Sequence, residues 1–170
     1  MEEKWNVLNR KGYLKIHVAV NIKTKEILAL EVTNENVHDG SRMLKKLVYV
    51  VLDNQDIMIE SVIAFDGAHD TNTNFQFLEQ KGITSGILVR KNSIISIRNN
   101  SLRNREVRLQ TKDDLLKWKA KRKYGHRWIA ETAFSTIKRT FGEYVSATRF
   151  QNMVKEMMIK ISLYNLFRNI

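Results

Sequence analysis

The chain has 170 residues, no Cys and no Pro, and 29 Lys or Arg against 18 Asp or Glu, for a formal net charge of +11. That length suits one domain, spanning residues 1–170, with room for a real core. The lack of Cys excludes disulfides and thiolate metal sites and fits a reducing, cytoplasmic setting. No charged-then-apolar leader is seen, and no uncharged run is long enough to cross a bilayer, so no membrane partner is expected.

In chain order, residues 13–21 alternate, with Leu14, Ile16, Val18 and Val20 on one side and Lys15, His17 and Asn21 on the other. This period of two predicts a strand. Residues 27–33 repeat the pattern with Leu28, Leu30 and Val32, and Lys23-Thr24-Lys25 between them predicts a hairpin turn. His38-Asp39-Gly40-Ser41 reads as a loop ending in a helix cap, ahead of a helix with Met43, Leu44, Leu47, Val48 and Val51 on one face.

Val62-Ile63-Ala64-Phe65 is a short apolar run of the kind buried on both faces of a sheet, and it ends at Asp66-Gly67. A carboxylate at the end of such a strand lies at the sheet rim, where sites of α/β folds gather; Asp-Gly alone equally begins a turn. A helix through Phe75, Phe77 and Leu78 follows, then Gly82 and a strand over residues 83–89. Strands alternating with helices predict an α/β layer fold.

The charge is concentrated further on. Residues 90–127 hold 13 Lys or Arg against three acids, Glu106, Asp113 and Asp114, with Trp118, Tyr124 and Trp128 in or beside the segment. Clustered cations interleaved with aromatics fit a nucleic-acid partner, because neutralised phosphates release counterions. A merely basic surface, an acidic protein or an anionic membrane would also suit the charge. Arg122 and Lys123 are candidate DNA contacts. Residues 91–110 read as an irregular or β-hairpin insertion, 112–123 as a helix.

The sequence YGHRWIAETAFSTIK then sets Tyr124, Arg127, Glu131 and Lys138 at gaps of two, three and six residues. At ~100° per residue, Arg127, Glu131 and Lys138 fall within roughly 40° on a helix, with Tyr124 roughly 20° beyond if the helix reaches back to it. An acid flanked by two cations and a phenol suits a carboxylate holding a metal ion against a phosphate. Arg127 and Glu131 also satisfy the spacing of an ordinary surface ion pair. The run Lys138-Arg139-Thr140-Phe141-Gly142-Glu143 follows at once. The helix spans 127–142 in this reading, with Ile129, Ala133, Phe134, Ile137 and Phe141 packing beside or opposite the stripe. A last helix from Gln151 carries Val154, Met157, Met158, Ile161, Leu163, Tyr164 and Phe167 over much of its circumference, so it is either buried or at an interface, with core packing the favoured reading.

Five stretches together carry a resemblance: KGYLKIHVAVNIKTKEILALEVT, VHDG, VIAFDGAHD, YGHRWIAETAFSTIKRTFGE and LYNLFRN. They resemble the catalytic domain of bacterial and archaeal insertion-sequence transposases of the DDE type. The resemblance implies an RNase H-like mixed sheet flanked by helices, with a basic insertion between the last strand and the catalytic helix. It further implies that two Asp and one Glu hold a pair of divalent ions, normally Mg²⁺, for cutting transposon ends and joining them to target DNA. Asp66 and Glu131 match the second Asp and the Glu of that triad, as catalytic residues and metal ligands. Tyr124, Arg127 and Lys138 match residues that contact the DNA backbone near the cleaved end.

Two departures stand out. His69 occupies a position where the family usually has Tyr. The first Asp of the triad belongs on a strand preceding Tyr13, near the centre of the family's sheet, yet residues 1–38 contain no Asp, only Glu2, Glu3, Glu26, Glu31 and Glu35 as acids. The expectation is therefore a transposase domain truncated at its N-terminus, with its first strand missing. It would be a decayed, inactive remnant, or one half of an enzyme whose other half, a complementing transposase fragment, comes from another reading frame; a homodimer is a further expected partner state. Asp39 and Asp70 are nearby carboxylates that the comparison does not place on the lost strand. Two other readings remain open at this point: a DNA-binding remnant that does not cleave, and an RNase H-like nuclease or resolvase that cuts without joining.

Overall fold

The computed structural model describes residues 14–34, 36–37, 40–54, 58–64, 67–95, 101–112 and 115–168. Asp39, Phe65, Asp66, Asp113 and Asp114 lie outside them. Among the described residues the chain runs β1 (Lys15–Val20), β2 (Ile27–Thr33), α1 (Ser41–Asn54), β3 (Ser61–Ala64), α2 (Asn72–Gln80) and β4 (Thr84–Ile87). The helices α3 (Leu102–Lys112), α4 (Leu115–Lys121), α5 (Trp128–Phe141) and α6 (Phe150–Arg168) follow. Two 3₁₀ turns, Gly67–His69 and Tyr124–Arg127, precede α2 and α5. The fold is mixed α/β, as expected.

β1 and β2 form the expected antiparallel hairpin. Its turn is set by Asn21, whose side-chain oxygen accepts from the Lys23 and Thr24 N–H groups at 2.8 and 3.2 Å, and by Lys25 in the left-handed region at φ 62°. Such an Asx turn replaces the Asn-Gly that a two-residue hairpin would use. The register shifts between Ala19 and Val20. Because α1 packs on both strands, α5 on β1 and α6 on β2, residues of both parities are covered, and Ile27, Ala29 and Val32 are all buried.

β3 and β4 pair in parallel across the α2 crossover. Thr71 caps α2, its hydroxyl accepting from the Asn74 N–H at 3.2 Å, and Gly82 at φ 68° releases the chain into β4. A Cβ on Gly86 would meet the Val62 carbonyl and the Ile63 side chain at 3.2 Å, so a larger residue in β4 would need β3 to give by a few tenths of an ångström.

The apolar interior has two centres. Leu44, Val48, Ala64, Phe75, Phe77, Leu78, Ile83 and Ile87 pack α1 and α2 against the parallel pair. Ile27, Ala133, Ile137, Ile161 and Tyr164 pack α5 and α6 against the hairpin, joined by Val18, Val20, Leu30 and Phe141. The backbone pairing matches this division: the described strands form two separate two-stranded sheets rather than one continuous mixed sheet.

Two readings of the sequence need correction, and a third is conditional. Residues 102–110, assigned to an irregular or hairpin insertion, belong to the helix α3, which runs on to Lys112. Its inward face is mostly polar, with Asn104, Glu106 and Gln110 buried beside Val107, so no apolar period marks it. In α6 only Met157, Ile161 and Tyr164 are buried, a single stripe at i, i+4, i+7. Met158, Ile159, Leu163, Leu166 and Phe167 are exposed. Finally, the condition under which Tyr124 would join the stripe is not met: the helix carrying Glu131 starts at Trp128, and Tyr124–Arg127 form a 3₁₀ turn entered through Lys123 in the left-handed region at φ 52°. Among the described residues no helix is long and apolar enough to cross a membrane.

Candidate functional site

α5 is built to show one face. Ile129, Ala133 and Ile137 recur at four-residue spacing and are buried, which turns Glu131, Ser135, Lys138 and Arg139 outward. Gly142 ends the helix at φ 81°. Glu131 lies in the first turn, where the partial positive charge of the helix N-terminus favours a carboxylate, and Lys138 and Arg139 lie in the last turn, where cations are favoured.

This face opens into a groove of about 460 Å³ lined by Glu131, Phe134, Ser135, Lys138, Arg139 and Glu143. The Glu131 carboxylate is 60% exposed and has only a loose partner in Arg127, Nη2 to Oε1 at 3.8 Å. Lys138 stands 4.0 Å from the Glu143 carboxylate. Exposed pairs at these distances contribute at most a few tenths of a kcal/mol, so the cations and carboxylates can be redirected toward a ligand at little cost. Arg139 and Glu143 belong to the Lys138–Glu143 run that stood out in the sequence; Ser135 carried no signal.

The predicted phosphate contacts divide by environment. Lys123, Arg127 and Lys138 are exposed. The Arg122 guanidinium is mostly covered, and donates through Nη2 to Glu106 Oε1. Tyr124 is 4% exposed, its ring packed against Trp118 at 5.6 Å between centroids. Its hydroxyl is buried and meets no hydrogen-bond partner among the described residues. Trp128 stays half exposed at the head of α5, with the Lys25 ammonium 5.9 Å from its ring centre.

Asp66 lies outside the described residues. β3 ends at Ala64, and the 3₁₀ turn starts at Gly67. β3 packs against the Tyr124–Arg127 turn that leads into α5, so the strand preceding Asp66 and the helix bearing Glu131 approach the same turn. Arg90 Nε donates to the Gly67 carbonyl at 2.9 Å.

Asp70 is not available as a ligand. Its buried carboxylate accepts from the Arg90 N–H at 3.0 Å, the Ser93 hydroxyl at 3.2 Å, and Arg103 Nε and Nη2 at 2.7 and 2.8 Å. Burial pushes its pKa up, but the Arg103, Arg90 and Ser93 hydrogen bonds and the Arg103 charge outweigh desolvation and hold it below the usual carboxylate value. Glu31, one of the acids near the N-terminus, is tied to Lys46 on α1 at 2.6 Å. Among the described residues no three His, Asp or Glu side chains stand close enough together to hold a metal ion.

No solved structure matches the chain. The family model for the transposase DDE domain matches residues 2–166, nearly the whole length, so the chain belongs to the DDE transposases and its role lies in DNA transposition.

Proposed function

We propose that the Glu131 groove is the metal and DNA site of an RNase H-like transposase catalytic domain spanning residues 1–170. The observation that carries this reading is an exposed, loosely paired carboxylate at the head of α5, in a groove that also presents Lys138 and Arg139 beside Glu143. Asp66 and Glu131 would hold a divalent ion, Mg²⁺ by their hard oxygen chemistry. When bound, such ions polarise the scissile phosphodiester and activate an attacking water or DNA 3′-hydroxyl. The protein's own part is positioning. Arg127, Lys123 and Lys138 take phosphate oxygens as charge-assisted donors. Tyr124, with its unpartnered hydroxyl, donates once DNA or a rearranged turn brings an acceptor within reach. Arg122 braces that turn through Glu106.

An antiparallel hairpin, a parallel pair and flanking helices are the components of an RNase H-like sheet, and the division of the described strands into two pairs fits a layout in which another strand lies between them. The absence of Asp from residues 1–38 favours a second reading, DNA binding without cleavage.

One experiment separates the readings. Labelled transposon-end DNA is incubated with the chain, with and without Mg²⁺ or Mn²⁺, and both retention and products are followed. Metal-dependent cutting and joining that Glu131→Gln abolishes supports the catalytic reading. Salt-sensitive binding untouched by metal or by that substitution supports the second. Cutting with no joined product points to a nuclease.

A further inference from the structure

The chain that leaves α5 is held by α6 without forming a helix or a strand of its own. Gly142 at φ 81° turns it out of α5, and residues 143–149 run on to Phe150 with no ladder partner among the described residues. Two side chains of α6 fasten it instead. The Glu156 carboxylate accepts from the Ser146 N–H at 2.9 Å and from the Ala147 N–H at 3.0 Å, and Lys160 Nζ donates to the Tyr144 carbonyl at 2.8 Å. Glu156 and Lys160 also pair with each other at 3.0 Å. The backbone from Tyr144 to Ala147 is therefore fixed by charge-assisted bonds, yet the Tyr144 ring is 83% exposed. No other ring stacks on it among the described residues. Its neighbour Glu143 lines the α5 groove together with Lys138 and Arg139, which sets Tyr144 at the rim of that groove.

We propose that Tyr144 is a stacking platform for an unpaired base at a DNA end whose phosphates lie along Lys138 and Arg139, with Glu156 and Lys160 as positioning residues. The inference rests on the reading of the α5 groove as a DNA site. An aromatic ring left in water on a fixed backbone offers a flat apolar face at little further ordering cost. Bases inside a duplex are covered by their neighbours, so an unpaired base is the one with a face free for such a ring. Any of the four bases would serve, because each has a π-face, and stacking beside a cationic groove is the means by which single strands are held without sequence preference. The platform thus distinguishes an opened end from continuous duplex, not one sequence from another.

Two labelled duplexes carry the same short overhang, one of thymidines and the other of abasic sugars, so that the phosphates are equal and only the bases differ. Binding to each is read by fluorescence anisotropy. The parent is expected to prefer the thymidine overhang by roughly 5- to 150-fold, the equivalent of the ~1–3 kcal/mol that one stacked base supplies. Tyr144→Phe keeps that preference and Tyr144→Ala erases it, while the slope of log affinity against log salt stays the same in both, because no charge is removed. Glu156→Ala, which releases the Ser146 and Ala147 N–H groups, is expected to shrink the preference with the ring still present. Because Tyr144 is exposed, its variants should melt with the parent. A preference unchanged in Tyr144→Ala, or an equal loss of affinity for both overhangs in that variant, would overturn the platform. Affinity for both overhangs indifferent to salt and to Lys138→Ala and Arg139→Ala would overturn the DNA reading of the groove instead, while the contrast between thymidine and abasic overhangs still reports on Tyr144.

Discussion

Arg103 approaches the buried Asp70 carboxylate side-on, with Nε on one oxygen at 2.7 Å and Nη2 on the other at 2.8 Å. This bidentate pair joins the rim of the parallel sheet to the first helix of the basic segment. Removing one member of such a pair leaves the other charge buried, which costs about 3–5 kcal/mol. Asp70→Asn is therefore expected to lower stability by about that amount, measured by urea denaturation at neutral pH.

The same carboxyl predicts an acid sensitivity. Its pKa is lower in the folded chain than the ordinary 3.8, so its stabilisation is fully present above that ordinary value and is lost as pH falls through the folded value. The thermal midpoint of the parent should fall in this acidic window more steeply than that of Asp70→Asn. Parallel curves for the two would contradict the assignment.

Glu131→Gln replaces a charged oxygen ligand with a weak amide. The groove should then lose Mn²⁺ affinity by more than the roughly 10–100-fold that a missing outer partner costs. Because Glu131 is exposed and its ion pair is loose, the thermal midpoint should barely change. Titration calorimetry beside a melting curve checks both halves of the statement.

DNA affinity should fall as salt rises from about 50 to 200 mM, since phosphate contacts release counterions. Lys123→Ala, Arg127→Ala and Lys138→Ala should each reduce the slope of log affinity against log salt by about one. Glu31→Gln, at a pair on the β2 side of α1, should leave the slope alone. Fluorescence anisotropy across a salt series measures it.

Asn165 clasps the hairpin by accepting from the Ile27 N–H and donating to the Ile27 carbonyl, both at 2.9 Å. Asn165→Ala strands both backbone groups and should cost about 1–3 kcal/mol. Tyr164→Phe, which loses only the bond to the Lys25 carbonyl, should cost about 1 kcal/mol. Equal losses in the two variants would show that the clasp does not act through Ile27.

The parts of this fold that were readable from sequence are those with an apolar period. Alternation in residues 13–33 marks the hairpin, and Ile129, Ala133 and Ile137 mark the buried side of α5, which placed Arg127, Glu131 and Lys138 together near its outer face. α3 escaped notice because its inward residues are Asn104, Glu106 and Gln110, whose burial depends on partners distant in sequence. Tyr124 joins the stripe only if the helix reaches back to it, and it does not. A left-handed lysine at 123 is not a conformation that residue type advertises. In α6 the apolar residues outnumber the places the core offers, and composition alone could not say which stripe would be taken.

The Asn165 clasp has a bearing on synthesis. Ile27 and Asn165 are separated by 138 positions, and the cluster that seats α5 draws Ile161 and Tyr164 from the same late helix. Long-range closures of this kind are slow, and translation delivers about 5–20 residues each second. The nascent hairpin must therefore wait seconds at the ribosome surface before α6 emerges to lock it, and the helix that presents Glu131 gains its support last. A polypeptide that stalls before residue 161 would carry the basic segment, and so could engage nucleic acid, without a seated Glu131.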